Sequence, residues 1–369
     1  MGIEIVTHPA SALDAEWFRL GQPTLEIGQV EGDDAYLFGG VSHGHRFADG
    51  RIVVVDRGSA ELRYFDAAGV HLFTSGGRGE GPGEIAVVSG VVVVDSLVGV
   101  AEITRTSWFN RDGNLVRIDP LDVATQGRLL GTKRISSPQP LPRGGWFMIG
   151  TDEVAWPPPD RWAVRAYALR FPPDLSRIDT LAVHAGGLQI RVDERRWVFA
   201  PFWPRMSASA GGPEGTIYVS ANDAFEIRQF DGQGELRRII RFDAPLRPVR
   251  DQDIDEWKMQ RRARAAGTPE AADVERVIAV LPFPDVFPPF RQFHVDRIGR
   301  LWAERWPRTG EDRRFTVIGA DGESLGYVSV PERFGILEAG TDHLLGVRRD
   351  ELDVEYVQLF SIRQPEGRE

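Results

Sequence analysis

Hydrophobic and polar positions form short runs along most of this chain, and tight turns separate the runs. Residues 52–69 and 217–234 align without gaps and match at Ile, Val, Glu, Arg, Phe, Asp and Gly positions. Each stretch contains two β-branched or aromatic runs, joined by a short polar loop and closed by an Asp/Gly turn, which is the pattern of a β-hairpin. The sequence therefore predicts a repeated hairpin of short strands.

This hairpin belongs to a larger repeating unit. The closing turn recurs at 109–113 and 318–322, with a degenerate copy at 171–174. A second class of tight turn precedes each strand pair, near 48–51, 94–96, 142–145, 213–216, 297–300 and 339–342. The turns are spaced by roughly 40 to 50 residues once two insertions are removed, which is the length of a propeller blade. We predict an all-β fold, a six-bladed β-propeller of four-stranded antiparallel blades, as one domain over residues 1–369.

The last repeating unit lacks one strand. Its predicted strands are 334–338, 343–348 and 354–362, and no further strand-like run follows them. The segment 24–28, near the N-terminus, has the pattern of a short strand. We therefore predict that an N-terminal strand completes the last blade and closes the ring.

The largest insertion, at about 243–290 between blades 4 and 5, has a helical pattern. Asp251 is a suitable N-cap for a helix that stops at Gly267. Thr268-Pro-Glu is typical of the start of a second helix, which we predict to end near Val280. Residues 281–290 are rich in Pro and Phe and are predicted to be extended. The insertion is thus a predicted helical hairpin.

Loop length is concentrated on one face of the predicted propeller, which we call the loop-rich face. The long connections are 76–84, 119–129, 151–160, 184–204, 243–290 and 305–313. Several Trp residues fall in them, and Trp with Arg suits small-molecule, glycan or peptide binding. The candidate ligand-binding residues are Trp156, Trp203, Arg205, Trp257 and Trp306. Alternatively, these indoles, together with Trp197, fill gaps between loops and blades.

Two histidines offer a different hypothesis. His45 and His294 each stand five residues before the Gly of their turn, at Gly50 and Gly299, so they occupy equivalent depths on inner strands. Two neutral imidazoles could bind a divalent metal ion, with Gln139 at the same offset in blade 3. A channel-site metal-dependent hydrolase or lyase is therefore the alternative function. The other interpretation is that both are solvated channel histidines.

A calcium site of the kind found in lactonase propellers needs carboxylates and amides on several inner strands. The predicted inner strands supply few of them, chiefly Asp296 and Glu338. A lactonase is therefore a second alternative, and no specific feature of the sequence supports it.

Charge and composition exclude several classes of protein. Lys and Arg number 44 and Asp and Glu 54, for a net charge of −10, which argues against nucleic-acid binding and against membrane-surface binding. Cysteine is absent, so no disulfide, thiol nucleophile or thiolate metal site can form. No apolar run approaches the roughly 20 residues of a transmembrane helix. The N-terminal residues do not resemble a signal peptide.

Four motifs carry a resemblance to a known group: Asp49-Gly-Arg-Ile-Val-Val-Val-Asp56, Glu61-Leu-Arg-Tyr-Phe-Asp66, Gly79-Glu-Gly-Pro-Gly-Glu84 and Asp350-Glu-Leu-Asp-Val-Glu-Tyr-Val357. With Trp17-Phe-Arg-Leu20, they resemble bacterial six-bladed β-propeller proteins related to the NHL-repeat class, most of which have no assigned function. Members of that group commonly carry an export or lipoprotein signal. The resemblance thus implies the fold and an envelope location, and it implies no particular chemistry.

These observations lead to one functional hypothesis. We predict a monomeric, non-catalytic binding or scaffold propeller that uses its loop-rich face and needs no cofactor, unless the two histidines hold a divalent metal. The predicted location is periplasmic or extracellular after signal removal, with the cytoplasm as the alternative.

Overall fold

The computed structural model describes residues 2–94, 96–120, 133–135, 139–142, 144–152, 159–174, 176–194, 196–307 and 311–362. These residues form six β-sheets, which we number 1 to 6 in chain order. Three N-terminal strands do not form a sheet of their own but join sheets 4, 5 and 6 respectively: β1 (Glu4–Pro9), β2 (Glu16–Arg19) and β3 (Leu25–Ile27).

Sheets 1 and 2 are four-stranded and antiparallel, with their strands in chain order. Sheet 1 contains β4 (Val41–Arg46), β5 (Ile52–Asp56), β6 (Glu61–Phe65) and β7 (His71–Gly76). Sheet 2 contains β8 (Gly90–Val94), β9 (Leu97–Ala101), β10 (Arg105–Asn110) and β11 (Leu115–Pro120).

Sheet 3 is larger because its outer strands are long. It contains β12 (Lys133–Ile135), β13 (Gln139–Pro140), β14 (Trp146–Asp152), β15 (Arg161–Phe171), β16 (Asp179–Arg191) and β17 (Trp197–Phe199). Both β12 and β13 pair with β14, and β17 pairs with the end of β16. The sequence predicted a loop over 184–204. That prediction was wrong for the part in which β16 continues to Arg191 and turns back as β17.

Sheets 4 to 6 each combine consecutive strands with one N-terminal strand. Sheet 4 contains β18 (Ser207–Gly211), β19 (Thr216–Ser220), β20 (Glu226–Phe230) and β21 (Leu236–Asp243). Sheet 5 contains β22 (Phe290–Val295), β23 (Leu301–Arg305), β24 (Arg313–Ile318) and β25 (Ser324–Val330). Sheet 6 contains β26 (Phe334–Ala339), β27 (His343–Arg349) and β28 (Glu355–Ser361).

The N-terminal strands pair with the outer strands of these sheets. β1 lies parallel to β21 and β2 lies parallel to β25, so each adds a fifth strand to a four-stranded sheet. β3 pairs antiparallel with β28, with Ile27 opposite Val357, and gives sheet 6 its fourth strand. The first 27 residues therefore run along three successive sheets.

Two α-helices lie between β21 and β22: α1 (Asp251–Ala265) and α2 (Val274–Val280). The predicted N-cap at Asp251 was wrong by one residue, because Arg250 precedes the helix and its backbone N–H donates to Asp253 Oδ2 at 2.9 Å. Thr268 caps a short 3₁₀ turn, Pro269–Ala272, that leads into α2. In the described part of the chain, no helix is long and apolar enough to cross a membrane.

Buried side chains pack between the sheets. β5 shows why: Val53 and Val55 belong to a cluster shared with sheet 2, whereas Ile52 and Val54 belong to a cluster shared with sheet 6. Alternate residues of a strand point to opposite faces, so a continuous apolar run is needed when both faces are covered.

Every pair of consecutive sheets shares such a cluster, including sheets 6 and 1. Four-stranded antiparallel sheets that pack face to face around a ring are the architecture of a β-propeller.

The recurring Asp/Gly turn has one geometry in its different copies. Asp66 Oδ1 accepts hydrogen bonds from the backbone of Ala68 and Val70, and Asp231 Oδ1 does the same for Gln233 and Glu235. The glycine that follows each, Gly69 or Gly234, has a φ of 82° or 88°. Most other residues avoid this region of φ, which explains why Gly recurs at this position.

Candidate functional site

A cavity of 1070 Å³ lies on the loop-rich face, between α1, the segment that follows β17 and the loops of sheets 5 and 6. We call it the face cavity. Trp203, Arg205, Trp257 and Trp306 all line it. The structure thus brings together four of the five residues that the sequence predicted as ligand-binding. The fifth, Trp156, lies outside the described residues, and Trp197 is on β17.

Helix α1 is held against the sheets by an apolar cluster. Trp257 of α1 and Trp203 pack on Val277 of α2, on Leu281 and on Ile190 at the end of β16. The long β15–β16 hairpin, with β17 paired to the end of β16, therefore gives the helices a surface on which to pack. As a result, both indoles are partly buried and have a fixed position in the cavity wall.

A second group of aromatic rings joins Trp257 to Trp306. Phe202 lies at the centre of it, with its ring centroid 5.6 Å from that of Trp306 and 4.7 Å from that of Phe287. Phe283 is 6.0 Å from Phe202 and 5.5 Å from Trp257. Offset and edge-to-face rings at these separations attract one another. Phe202, Phe287 and Trp306 thus form an aromatic wall on one side of the face cavity, and Phe283, which does not line the cavity, joins them to Trp257.

Arg205 is fixed by its backbone and by its side chain. Its backbone bridges to Gly186 of β16, and its carbonyl accepts a hydrogen bond from Asn222 Nδ2 at 2.7 Å. Its guanidinium carbon lies 3.9 Å from the centroid of the Phe199 ring, as in a cation–π contact. The cationic group is held in place without an ion pair to any carboxylate of the described residues.

Most other arginines of the face cavity have acidic partners. Arg247 pairs with Asp253 at 2.9 Å, and Arg313 pairs with the buried Glu304 at 2.7 Å. Arg349 Nη2 lies 2.6 Å from Glu355 Oε1. These side chains are part of the scaffold of the cavity. None of them was predicted from the sequence, because no local motif marks these Arg–carboxylate pairs although the partners are only six to nine residues apart.

A second cavity, of 760 Å³, runs between the first strands of the sheets. We call it the channel cavity. β22 contributes to both cavities, since Arg291 lines the face cavity and Gln292 to Arg297 line the channel cavity. The two predicted metal ligands, His45 and His294, both line the channel cavity.

His45 is buried and bonded on both ring nitrogens. Its Nδ1 lies 2.9 Å from Glu338 Oε1, and its Nε2 lies 3.5 Å from Arg297 Nη1. A neutral imidazole with its proton on Nδ1 satisfies both contacts. An arginine beside the second nitrogen disfavours a metal cation there, because the two charges repel each other.

Glu338 is the centre of this buried group. Its Oε2 accepts from the backbone N–H of Arg46 at 2.7 Å and lies 3.5 Å from His343 Nε2. Burial raises the pKa of the Glu338 carboxyl, but the contacts with His343 and His45 outweigh this effect and lower it to about 2. Glu338 is therefore ionised at neutral pH and compensated by protein groups. The sequence analysis considered it only as a calcium ligand.

His294, on β22, has a different set of neighbours in the channel cavity. Gln292 Nε2 donates to its Nε2 at 2.6 Å. Burial lowers its pKa to about 4, and burial together with the nearby His294 lowers the pKa of His43 to about 4. Both imidazoles are therefore neutral at pH 7. The structure places His43, which the sequence analysis did not select, in the electrostatic environment of His294.

Neither enzyme hypothesis gains a ligand set from this geometry. Among the described residues, no group of three or more His, Asp or Glu side chains is arranged to hold a metal ion. Gln139 Oε1 accepts from the backbone of Ala210 at 3.1 Å. Asp296 accepts from Arg300 Nε at 2.5 Å and from Trp302 Nε1 at 3.1 Å. These groups already have partners within the protein.

The chain is similar to known proteins in its fold. No protein-family model matches it, and no curated protein matches it by sequence. A member of the DUF4221 family from Bacteroides vulgatus matches with a TM-score of 0.51 and 11% identity, over 94% of this chain and 98% of that one.

Two other solved structures are less similar. Regucalcin, a calcium-binding protein from Agrobacterium tumefaciens, matches with a TM-score of 0.42 and 12% identity, over 96% of this chain and 99% of that one. The β-propeller domain of Cps50 from Myceliophteria thermophila matches with a TM-score of 0.41 and 9% identity, over 93% and 99% of the two chains. At such identities a likeness concerns the fold alone, and the two lower scores carry no argument.

Proposed function

We propose that this chain is a non-catalytic binding or scaffold protein that holds a small molecule, glycan or peptide in the face cavity. The observation that carries the proposal is the convergence of Trp203, Arg205, Trp257 and Trp306 on one cavity. Trp203 and Arg205 share one segment, whereas Trp257 lies on α1 and Trp306 follows β23, so three separate parts of the chain converge on the cavity. Large concave sites with an aromatic wall and a few polar groups are typical of ligand-binding pockets.

We also propose the finer architecture on which this function depends: a six-bladed propeller, related to the NHL-repeat class, with the helices inserted between blades 4 and 5. Support comes from the shared apolar clusters, which link each sheet to the next and sheet 6 to sheet 1. The position of α1 and α2 between β21 and β22 is consistent with the insertion. We propose a monomer, and the sequence resemblance favours a location in the periplasm or outside the cell.

Binding of an uncharged aromatic probe tests the function. N-phenyl-1-naphthylamine should bind with enhanced fluorescence, and Trp203→Ala should weaken binding by roughly 1 to 3 kcal/mol, because a central aromatic anchor is lost. Asp321→Ala, in a short turn on the opposite face, serves as the control and should leave the affinity unchanged. Thermal melting of both variants separates lost binding from lost folding. Equal affinity in the Trp203 variant and the parent protein would refute the proposal.

A further inference from the structure

The face cavity contains more cationic than anionic side chains. Six arginines line it, together with four carboxylates: Arg205, Arg247, Arg264, Arg291, Arg313 and Arg349, against Asp253, Glu256, Glu311 and Glu332. The chain as a whole carries a net charge of −10. Glu304 and Glu355, which do not line the cavity, neutralise three of these arginines, so the positive charge without a partner among the described residues is that of Arg205 and Arg264.

Ion pairs within the protein account for only part of this positive charge. Arg247, Arg313 and Arg349 each have a carboxylate within 2.9 Å, and Arg291 lies 3.4 Å from Glu304. Arg205 and Arg264 have no carboxylate within ion-pair distance in the part of the chain that the structure describes. Two guanidinium groups at the cavity are thus free to bind a ligand.

Arg205 is the better placed of the two. Its stacking on Phe199 and its fixed backbone reduce the conformational freedom that binding would otherwise remove. Arg264 is an exposed side chain in the last turn of α1. A guanidinium offers paired N–H donors that match carboxylate, phosphate or sulfonate oxygens.

Glu256, Glu311 and Glu332 also line the cavity and would repel an anion. Glu311 is paired with Arg314 at 3.4 Å, and the Glu332 side chain is exposed, so solvent screens its charge.

We infer that the ligand of the face cavity is an organic anion, with a carboxylate, phosphate or sulfonate held by Arg205 and a flat apolar body against the aromatic wall. The inference rests on the proposed function, because it names the ligand class of the same site. Arg205 is then the residue that distinguishes an anion from a neutral molecule of equal shape.

Two fluorescent probes with the same ring system test the inference. 8-Anilinonaphthalene-1-sulfonate carries a sulfonate, and N-phenyl-1-naphthylamine lacks it. We expect the sulfonate to bind about 10-fold more tightly, as for a hydrogen bond to a charged group. Arg205→Gln should abolish this preference without changing the affinity for the neutral probe. Arg205→Lys, which keeps the charge but not the paired donors, should retain part of it.

Arg237→Gln is the matched control, because Arg237 pairs with Asp231 at 2.6 Å on β21, outside the cavity. It should leave both affinities unchanged. Equal affinity for the two probes, or a preference that persists in Arg205→Gln, would overturn the inference. If Trp203→Ala still weakens both probes in that case, the proposed function stands. If neither probe responds to Trp203→Ala, the proposed function fails as well.

Discussion

The face cavity and the channel cavity meet along β22, yet their charged groups are balanced in different ways. In the channel cavity, Glu338 has His45, His343 and the backbone of Arg46 as partners. In the face cavity, Arg205 has an aromatic neighbour but no carboxylate partner among the described residues. A group that the protein already satisfies contributes to folding, whereas an unsatisfied one at a cavity is available to a ligand.

The histidines extend this contrast. Burial keeps His43 and His294 uncharged at neutral pH, since the pKa of each is about 4. Arginines in the face cavity keep their charge at any physiological pH. The charged groups of the channel cavity are therefore paired with one another, whereas the face cavity has cations without a carboxylate partner among the described residues at Arg205 and Arg264. The difference indicates that substitutions in the first should change stability and substitutions in the second should change binding.

Deletion of residues 1–30 should have the largest effect, because it removes the ring closure on which both cavities depend. The outer strands β21, β25 and β28 would lose their partners, and unpaired edges promote aggregation. Size-exclusion chromatography and thermal melting measure the outcome. Deletion of residues 1–9 removes only β1 and should be milder. A monomer with an unchanged melting temperature after the longer deletion would contradict ring closure by β3.

Glu338→Ala should have the next largest effect. It should lower the free energy of unfolding and leave probe binding in the face cavity unchanged. Removing one partner of a buried ionic group costs about 3 to 5 kcal/mol, because the remaining groups stay buried without compensation. Urea denaturation measures the loss. Glu332→Ala, an exposed carboxylate of the face cavity, is the control and should change stability by less than about 0.5 kcal/mol. If folded Glu338→Ala protein bound the probe more weakly, substitutions in the channel cavity would change binding as well as stability, and the contrast between the two cavities would be wrong.

Acidification should lower the free energy of unfolding gradually, in two pH ranges, and by less than the changes above. His43 and His294 have folded-state pKa values of about 4, below the 6.5 of unfolded histidine, so their contribution is complete above pH 6.5 and falls towards pH 4. Glu338 has a pKa of about 2 against 4.5 unfolded, so its contribution falls between pH 4.5 and 2. The raised pKa of His343 acts in a different range, because its contribution is complete below pH 6.5 and is lost as the pH rises above that value.

Chemical denaturation at a series of pH values resolves these windows. His294→Gln should flatten the profile mainly between pH 6.5 and 4, and Glu338→Gln mainly below pH 4.5. A parent protein whose unfolding free energy is constant from pH 7 to pH 4 would show that the channel histidines titrate normally.

The repeated hairpin was predictable because it is local: strand pattern, Asp side-chain turn and Gly conformation all lie within one segment. β1 and β2 were missed because their partners, β21 and β25, are far away in the chain and parallel pairing leaves no turn to recognise. Among the site residues, Trp203 and Trp257 were found through the length of their loops. Glu338 and Arg297 were not recognised as partners of His45, since no spacing rule relates them.

The three N-terminal strands also have a consequence for the order of events during synthesis. Glu4 pairs with Arg238, 234 residues later, and Glu26 bonds to Gln358, 332 residues later. The partners of β1, β2 and β3 leave the ribosome much later than these strands do. The three strands therefore remain unpaired while most of the chain is being made. These strands are thus made before the sheets that they join but can pair only after those sheets have been made.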